Sequence, residues 1–74
     1  MCGIIGINSN KQVTASIINS LKKLEYRGYD SAGLATLSNG LINEKKCSGR
    51  VEELEKILFK SPTDGNLGIG HVRW

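Results

Sequence analysis

Ala32-Gly33-Leu34-Ala35-Thr36-Leu37-Ser38-Asn39-Gly40-Leu41-Ile42 is the stretch that decides how this chain folds. Residues 32–37 are a short apolar run, closed by Ser38-Asn39-Gly40, and a second run begins at Leu41. Asn-Gly between two strand-like runs is a strong short-range hairpin signal, because its turn needs positive φ at both central residues. Residues 41–47 are then the return strand. Asn43, Glu44, Lys45 and Lys46 break its alternation, which suits an edge strand whose charges discourage further pairing.

On the N-terminal side, Val13, Ile17, Leu21 and Leu24 recur at spacings of four, four and three. At about 100° per residue they share an arc of about 80°, with Asn19, Lys22 and Lys23 elsewhere, so a helix is expected over residues 12–25 against one face of a sheet. Residues 26–31 lack apolar periodicity and read as a loop. Residues 2–8, rich in Ile and Gly, read as a buried strand that leaves through Asn8-Ser9-Asn10. On the C-terminal side, residues 50–60 pattern as a second amphipathic helix. Val51, Leu54, Ile57 and Leu58 lie on one side of it, and Glu52, Glu53, Lys56 and Lys60 on the other. Residues 61–66 end it, and residues 67–74 read as a last strand. The order strand–helix–strand–strand–helix–strand predicts an α+β layer. Two helices cover one face, so the other face is expected to stand open as an apolar patch.

Seventy-four residues allow one small domain, burying only roughly 60–65% of the unfolded surface. The net charge of +3 is scattered, with Lys22-Lys23 and Lys45-Lys46 the only basic doublets. No basic face interleaved with aromatics forms, which argues against nucleic acid as a partner. No run approaches the ~20 apolar residues of a membrane span. The run at residues 2–7 is too short, and lacks the basic leader, for a signal peptide. Cys2 and Cys47 have no metal-ligand spacing, and a reducing, cytoplasmic location is the default expectation. Neither a metal nor a cofactor is implied. The glycines form no phosphate loop, since neither Gly-Lys-Ser/Thr nor Gly-x-Gly-x-x-Gly occurs.

Cys2 stands directly behind the initiator methionine. With Met1 removed, its thiol, titrating near ~8.5, lies beside an α-amine titrating near ~7.7–8.0, which can serve as its base. A strand can also begin with Cys for packing alone. Arg27 and Asp30 either close a loop as a local ion pair or serve a site, and His71 reads as a structural histidine or as a base. Alternation puts His71 and Arg73 on one face of the last strand and Val72 and Trp74 on the other. An arginine there suits bidentate capture of a carboxylate or simple solvation. Cys47 is expected to pack.

Four segments carry more than single positions. They are Met1-Cys2-Gly3-Ile4-Ile5-Gly6-Ile7, then Leu24-Glu25-Tyr26-Arg27-Gly28-Tyr29-Asp30-Ser31-Ala32-Gly33-Leu34-Ala35, then Gly49-Arg50-Val51, and last Gly68-Ile69-Gly70-His71-Val72-Arg73-Trp74. In order and spacing they resemble the N-terminal glutaminase domain of the glutamine–fructose-6-phosphate aminotransferases (isomerizing). These are class II glutamine amidotransferases of the N-terminal-nucleophile hydrolase type. The resemblance implies a partial αββα sandwich, with residues 1–74 forming the first part of a type 2 glutamine amidotransferase domain. It implies glutamine as the ligand and Cys2 as the nucleophile, forming a γ-glutamyl thioester and releasing ammonia, which the family passes to fructose 6-phosphate to make glucosamine 6-phosphate. By the same resemblance Arg27 and Gly28 order the nucleophile's surroundings and Arg73 grips the glutamine α-carboxylate. Trp74 begins a loop that closes over glutamine and helps gate ammonia.

Two departures from the family's pattern stand out. Val72 occupies a position that holds threonine in the family. The family's domain also runs on for more than a hundred residues, carrying the oxyanion Asn-Gly pair and the aspartate that holds the substrate amine, followed by the sugar isomerase portion. None of these lies within the 74 residues. The expectation is an N-terminal fragment without independent glutaminase activity. The other readings are one half of a split enzyme completed by a second chain, and a non-catalytic module that binds glutamine or pairs through its open sheet.

Overall fold

The computed structural model describes residues 2–74, and the fate of Met1 lies outside them. The elements are β1 (Gly3–Asn8), α1 (Thr14–Leu24), a 3-10 turn (Glu25–Arg27), β2 (Ser31–Ser38), β3 (Leu41–Ser48), α2 (Val51–Lys60) and β4 (Leu67–Arg73). The strands form one sheet in the order β1-β4-β2-β3, with every neighbouring pair antiparallel. This is the α+β layer the element order implies.

The hairpin turns where the Asn-Gly signal places it. Asn39 has φ 53° and Gly40 φ 77°, the paired positive values that keep a two-residue turn in step with strand twist. Ser38 pairs with Leu41, and the ladder continues to Ser31 and Ser48. As expected, charged β3 lies at an edge.

Both helices pack on one face of the sheet. Val13, Ile17, Ile18 and Leu21 from the α1 side meet Val51, Leu54 and Leu58 of α2 and Ala32, Leu34 and Val72 of the sheet. Ile17, Leu21, Val51 and Leu54 are wholly buried. Gly70 makes this closeness possible, because a Cβ there would meet Ile17 Cγ2 at 2.5 Å. Val72, the departure from the family's threonine, is buried in this core, away from the open face.

Three expectations are corrected. Residues 2–8 do not form a buried strand. β1 is the second edge, with Ile5 and Ile7 packed on the core and Ile4 80% exposed, because β4 alone flanks it and the helices cover one side only. α1 begins at Thr14 rather than 12. The residues before it are held by the loop ahead of β4: Gly65 N–H donates to Gln12 Oε1 at 2.7 Å and Val13 N–H donates to Gly65 O at 3.0 Å. The stretch after α1 is not wholly loop, since Glu25–Arg27 continues it as a 3-10 turn.

The second face of the sheet is open, as the layer count requires. Ile4 of β1, Leu67 and Ile69 of β4, Leu37 of β2 and Ile42 of β3 are all exposed. Two shallow apolar depressions cross it, floored by Ala35 and Ile69. No described helix is long and apolar enough to cross a membrane.

Candidate active site at one end of the sheet

Four of the five site residues expected from the sequence converge where β1 begins and β4 ends. Gly3 pairs with Val72, so continuing that register brings exposed Cys2 beside Arg73. The Cys2 thiol points to the Trp74 carbonyl oxygen at 3.9 Å. On its other side Arg73 pairs with Ser31 of β2, and its Nη1 lies 3.6 Å from Asp30 Oδ2. Both side chains of this ion pair are mostly exposed, at 72% and 60%, so it contributes little stability. Asp30 thus reaches Arg73 on a different strand, beyond the local partner considered from the sequence.

Gly28 meets Trp74. Its φ of +121° is one that residues with a Cβ rarely adopt. A Cβ there would also lie 2.6 Å from Trp74 Cδ2. Arg27, the last residue of the 3-10 turn, has its guanidinium carbon 5.7 Å from the Tyr26 ring centroid. It stands next to Gly28 in the chain.

His71 is half-buried and faces the open side, where a Cβ on its partner Gly33 would meet His71 Nε2 at 2.7 Å. Its other strand partner is Ile4. Cys47 packs against the core. Burial chiefly, and the Glu53 carboxylate secondarily, push its thiol above the usual range, while the Ala32 backbone hydrogen bond opposes them. Among the described residues no group of three or more His, Cys, Asp or Glu is placed to hold a metal ion.

One residue at the margin of this site escaped the reading of the sequence. Glu25 has a side chain only 10% exposed and accepts hydrogen bonds from Val51 N–H at 2.7 Å and Arg50 Nη2 at 3.2 Å. A signal was available. An acidic residue following the last turn of α1 opposes that helix's dipole, which points to a cationic or N–H partner elsewhere.

An antiparallel sheet covered on one face, with a cysteine at the mouth of an edge strand, is compatible with part of a sandwich of the N-terminal-nucleophile class. The class is then narrowed by relatives. Over all 74 residues the chain is 55% identical to a glutamine–fructose-6-phosphate aminotransferase (isomerizing) of Bartonella henselae. It is 53% identical to the protein of that name from Clostridium acetobutylicum and 51% identical to that from Caldanaerobacter subterraneus. No protein-family profile matches the chain. By sequence the chain is similar over its whole length to the glutamine–fructose-6-phosphate aminotransferases, and it spans 12% of the length of these relatives.

Proposed function

We propose that this chain supplies the nucleophile and the carboxylate grip of a glutaminase site, and that residues 1–74 are the first part of a glutamine amidotransferase domain. The observation that carries the reading is the juxtaposition of Cys2, Arg73 and Trp74 at one end of the sheet, with the Cys2 thiol 3.9 Å from the Trp74 carbonyl.

With Met1 removed, the Cys2 α-amine accepts the thiol proton. The thiolate attacks the side-chain amide carbon of glutamine, and a tetrahedral intermediate forms. The C–N bond then breaks, ammonia departs with the transferred proton, and a γ-glutamyl thioester remains on Cys2. Water attacks that thioester, releasing glutamate and returning the proton to sulfur. Arg73 holds the glutamine α-carboxylate through charge-assisted hydrogen bonds, taking the place that Asp30 fills in the free chain. Gly28 and Arg27 shape the wall beside the nucleophile, and Trp74 begins its cover. Transfer of the ammonia to fructose 6-phosphate belongs to this proposal only for the whole polypeptide, or for a second chain that completes this one.

Neither oxyanion donors nor a carboxylate for the substrate amine is part of the proposed site. Loss of one oxyanion donor typically costs about 10²–10³ in rate, so the 74-residue chain alone is expected to release no ammonia from glutamine above a Cys2→Ala control. The positive test is chemical labelling. A diazoketone analogue of glutamine should modify Cys2 and not Cys47, with modification lost in Cys2→Ala and slowed in Arg73→Ala. Labelling at Cys47 alone, or a rate indifferent to Arg73, would overturn the assignment.

A further inference from the structure

We infer that Glu25 is a positioning residue, clamping the Arg27–Gly28 turn to the start of α2 and thereby setting where Gly28 meets Trp74. Four contacts hold the strap of residues 25–30 against residues 49–51. At its first residue, Glu25 receives Val51 N–H at 2.7 Å and Arg50 at 3.2 Å. At its end, Gly49 N–H donates to Asp30 O at 2.7 Å. Between them the Arg50 guanidinium lies over the Tyr29 ring, 4.9 Å from its centroid. Arg27 and Gly28 sit in the middle of the strap.

The Glu25 contacts are unusual in their source. A helix start needs acceptors for its first N–H groups, and a residue immediately ahead of it normally supplies one. The residue at that position in α2 is Arg50, whose side chain caps nothing. The acceptor comes instead from a carboxylate 26 positions earlier, where the positive end of the helix dipole also favours an anion. Because the Glu25 side chain is only 10% exposed, its part-buried contact with Val51 N–H is screened less than a surface pair would be. A cap recruited from so far away ties two segments together. One of those segments carries the wall of the proposed site.

The functional consequence rests on the glutaminase reading, but the geometry does not, and the test separates the two. Trp74 is the only tryptophan, so its emission and its quenching by acrylamide report on its contact with Gly28 without any glutamine chemistry. In the full chain, Glu25→Ala is expected to shift Trp74 emission to the red, increase its quenching and change the rate at which Cys2 is alkylated. Glu25→Gln keeps an acceptor within reach of Val51 N–H and is expected to restore most of the wild-type emission. Glu25→Asp, a methylene shorter, is not. Glu55→Ala removes the exposed Lys22–Glu55 bridge at 2.8 Å and serves as a control, expected to leave Trp74 unchanged. Should Glu25→Ala fail to fold, Glu25→Gln and Glu25→Asp decide. Equal Trp74 emission in those two folded variants, or wild-type emission in folded Glu25→Ala, would overturn the inference. Failure of Cys2 to take the glutamine analogue would instead count against the glutaminase reading alone.

Discussion

The indole of Trp74 lies so close to Gly28 that a single added carbon at residue 28 would overlap it, at 2.6 Å from Cδ2. The contact joins the residue that follows β4 to the turn that precedes β2, across the end of the sheet where Cys2 is exposed. Gly28 is required twice over, by this closeness and by its φ of +121°.

Gly28→Ala should therefore cost about 1–3 kcal/mol through backbone strain and also displace the indole. The checks are a denaturant titration and Trp74 fluorescence. Unchanged emission with unchanged stability would mean that the turn adapts freely.

Gly70→Ala tests the core rather than the site. Its new methyl would meet Ile17 Cγ2 at 2.5 Å and Leu21 Cδ1 at 3.2 Å, between the sheet and α1. Overpacking of this kind costs about 1–3 kcal/mol. Ile17→Ala, at a side chain with no exposed surface, should cost about 2–5 kcal/mol by leaving a cavity. Thermal melts of the two variants should both fall below wild type, with Ile17→Ala the lower.

The open face makes a solution prediction. Ile69 is 61% exposed and lies amid Ile4, Leu37 and Ile42, which are exposed too. Patches of this kind promote association. Ile69→Lys is expected to reduce self-association in sedimentation velocity and to lower binding of a hydrophobic dye. Equal sedimentation and equal dye binding for both proteins would contradict it.

The two thiols should behave differently. Cys2 is exposed and Cys47 partly buried, so iodoacetamide should label Cys2 first, as read by peptide mass analysis. Burial raises the Cys47 thiol above its ordinary value. In the unfolded chain that thiol ionises from about pH 8.5, while the folded state still holds its proton. Folded protein then binds more protons than unfolded, so stability falls as pH rises above about 8.5. Cys47→Ala should flatten this part of the profile of denaturation midpoint against pH. An identical decline in the variant would remove Cys47 as its cause.

What could be read from the sequence was what short-range physics writes there. The Asn39-Gly40 turn and the α1 spacing of Val13, Ile17 and Leu21 depend on neighbours a few residues apart, and both elements formed. β1 was less legible because Ile4 and Ile5 are equally apolar, so periodicity could not say which faced the helices. Only the register with β4 settles that, setting Ile4 opposite His71 and Ile5 opposite Gly70, which leaves Ile4 exposed and Ile5 packed. At the site, the motif residues marked the positions of Cys2, Gly28, Arg73 and Trp74. The Asp30–Arg73 pair and the reach of Glu25 to Val51 were invisible, because each joins segments that only the completed fold brings together.

The pairing of β1 with β4 sets an order in time opposite to the order of the chain. Among the described residues β4 is the only sheet partner of β1, and it spans Leu67–Arg73. As the polypeptide leaves the ribosome, β1 must wait for β4, the fourth of the described strands, while the hairpin of β2 and β3 closes between them. Contacts so distant along the chain are the slow ones to form. The sulfur of Cys2 therefore acquires its neighbours only when translation has passed Trp74, and until then it travels as an ordinary thiol on an unpaired end.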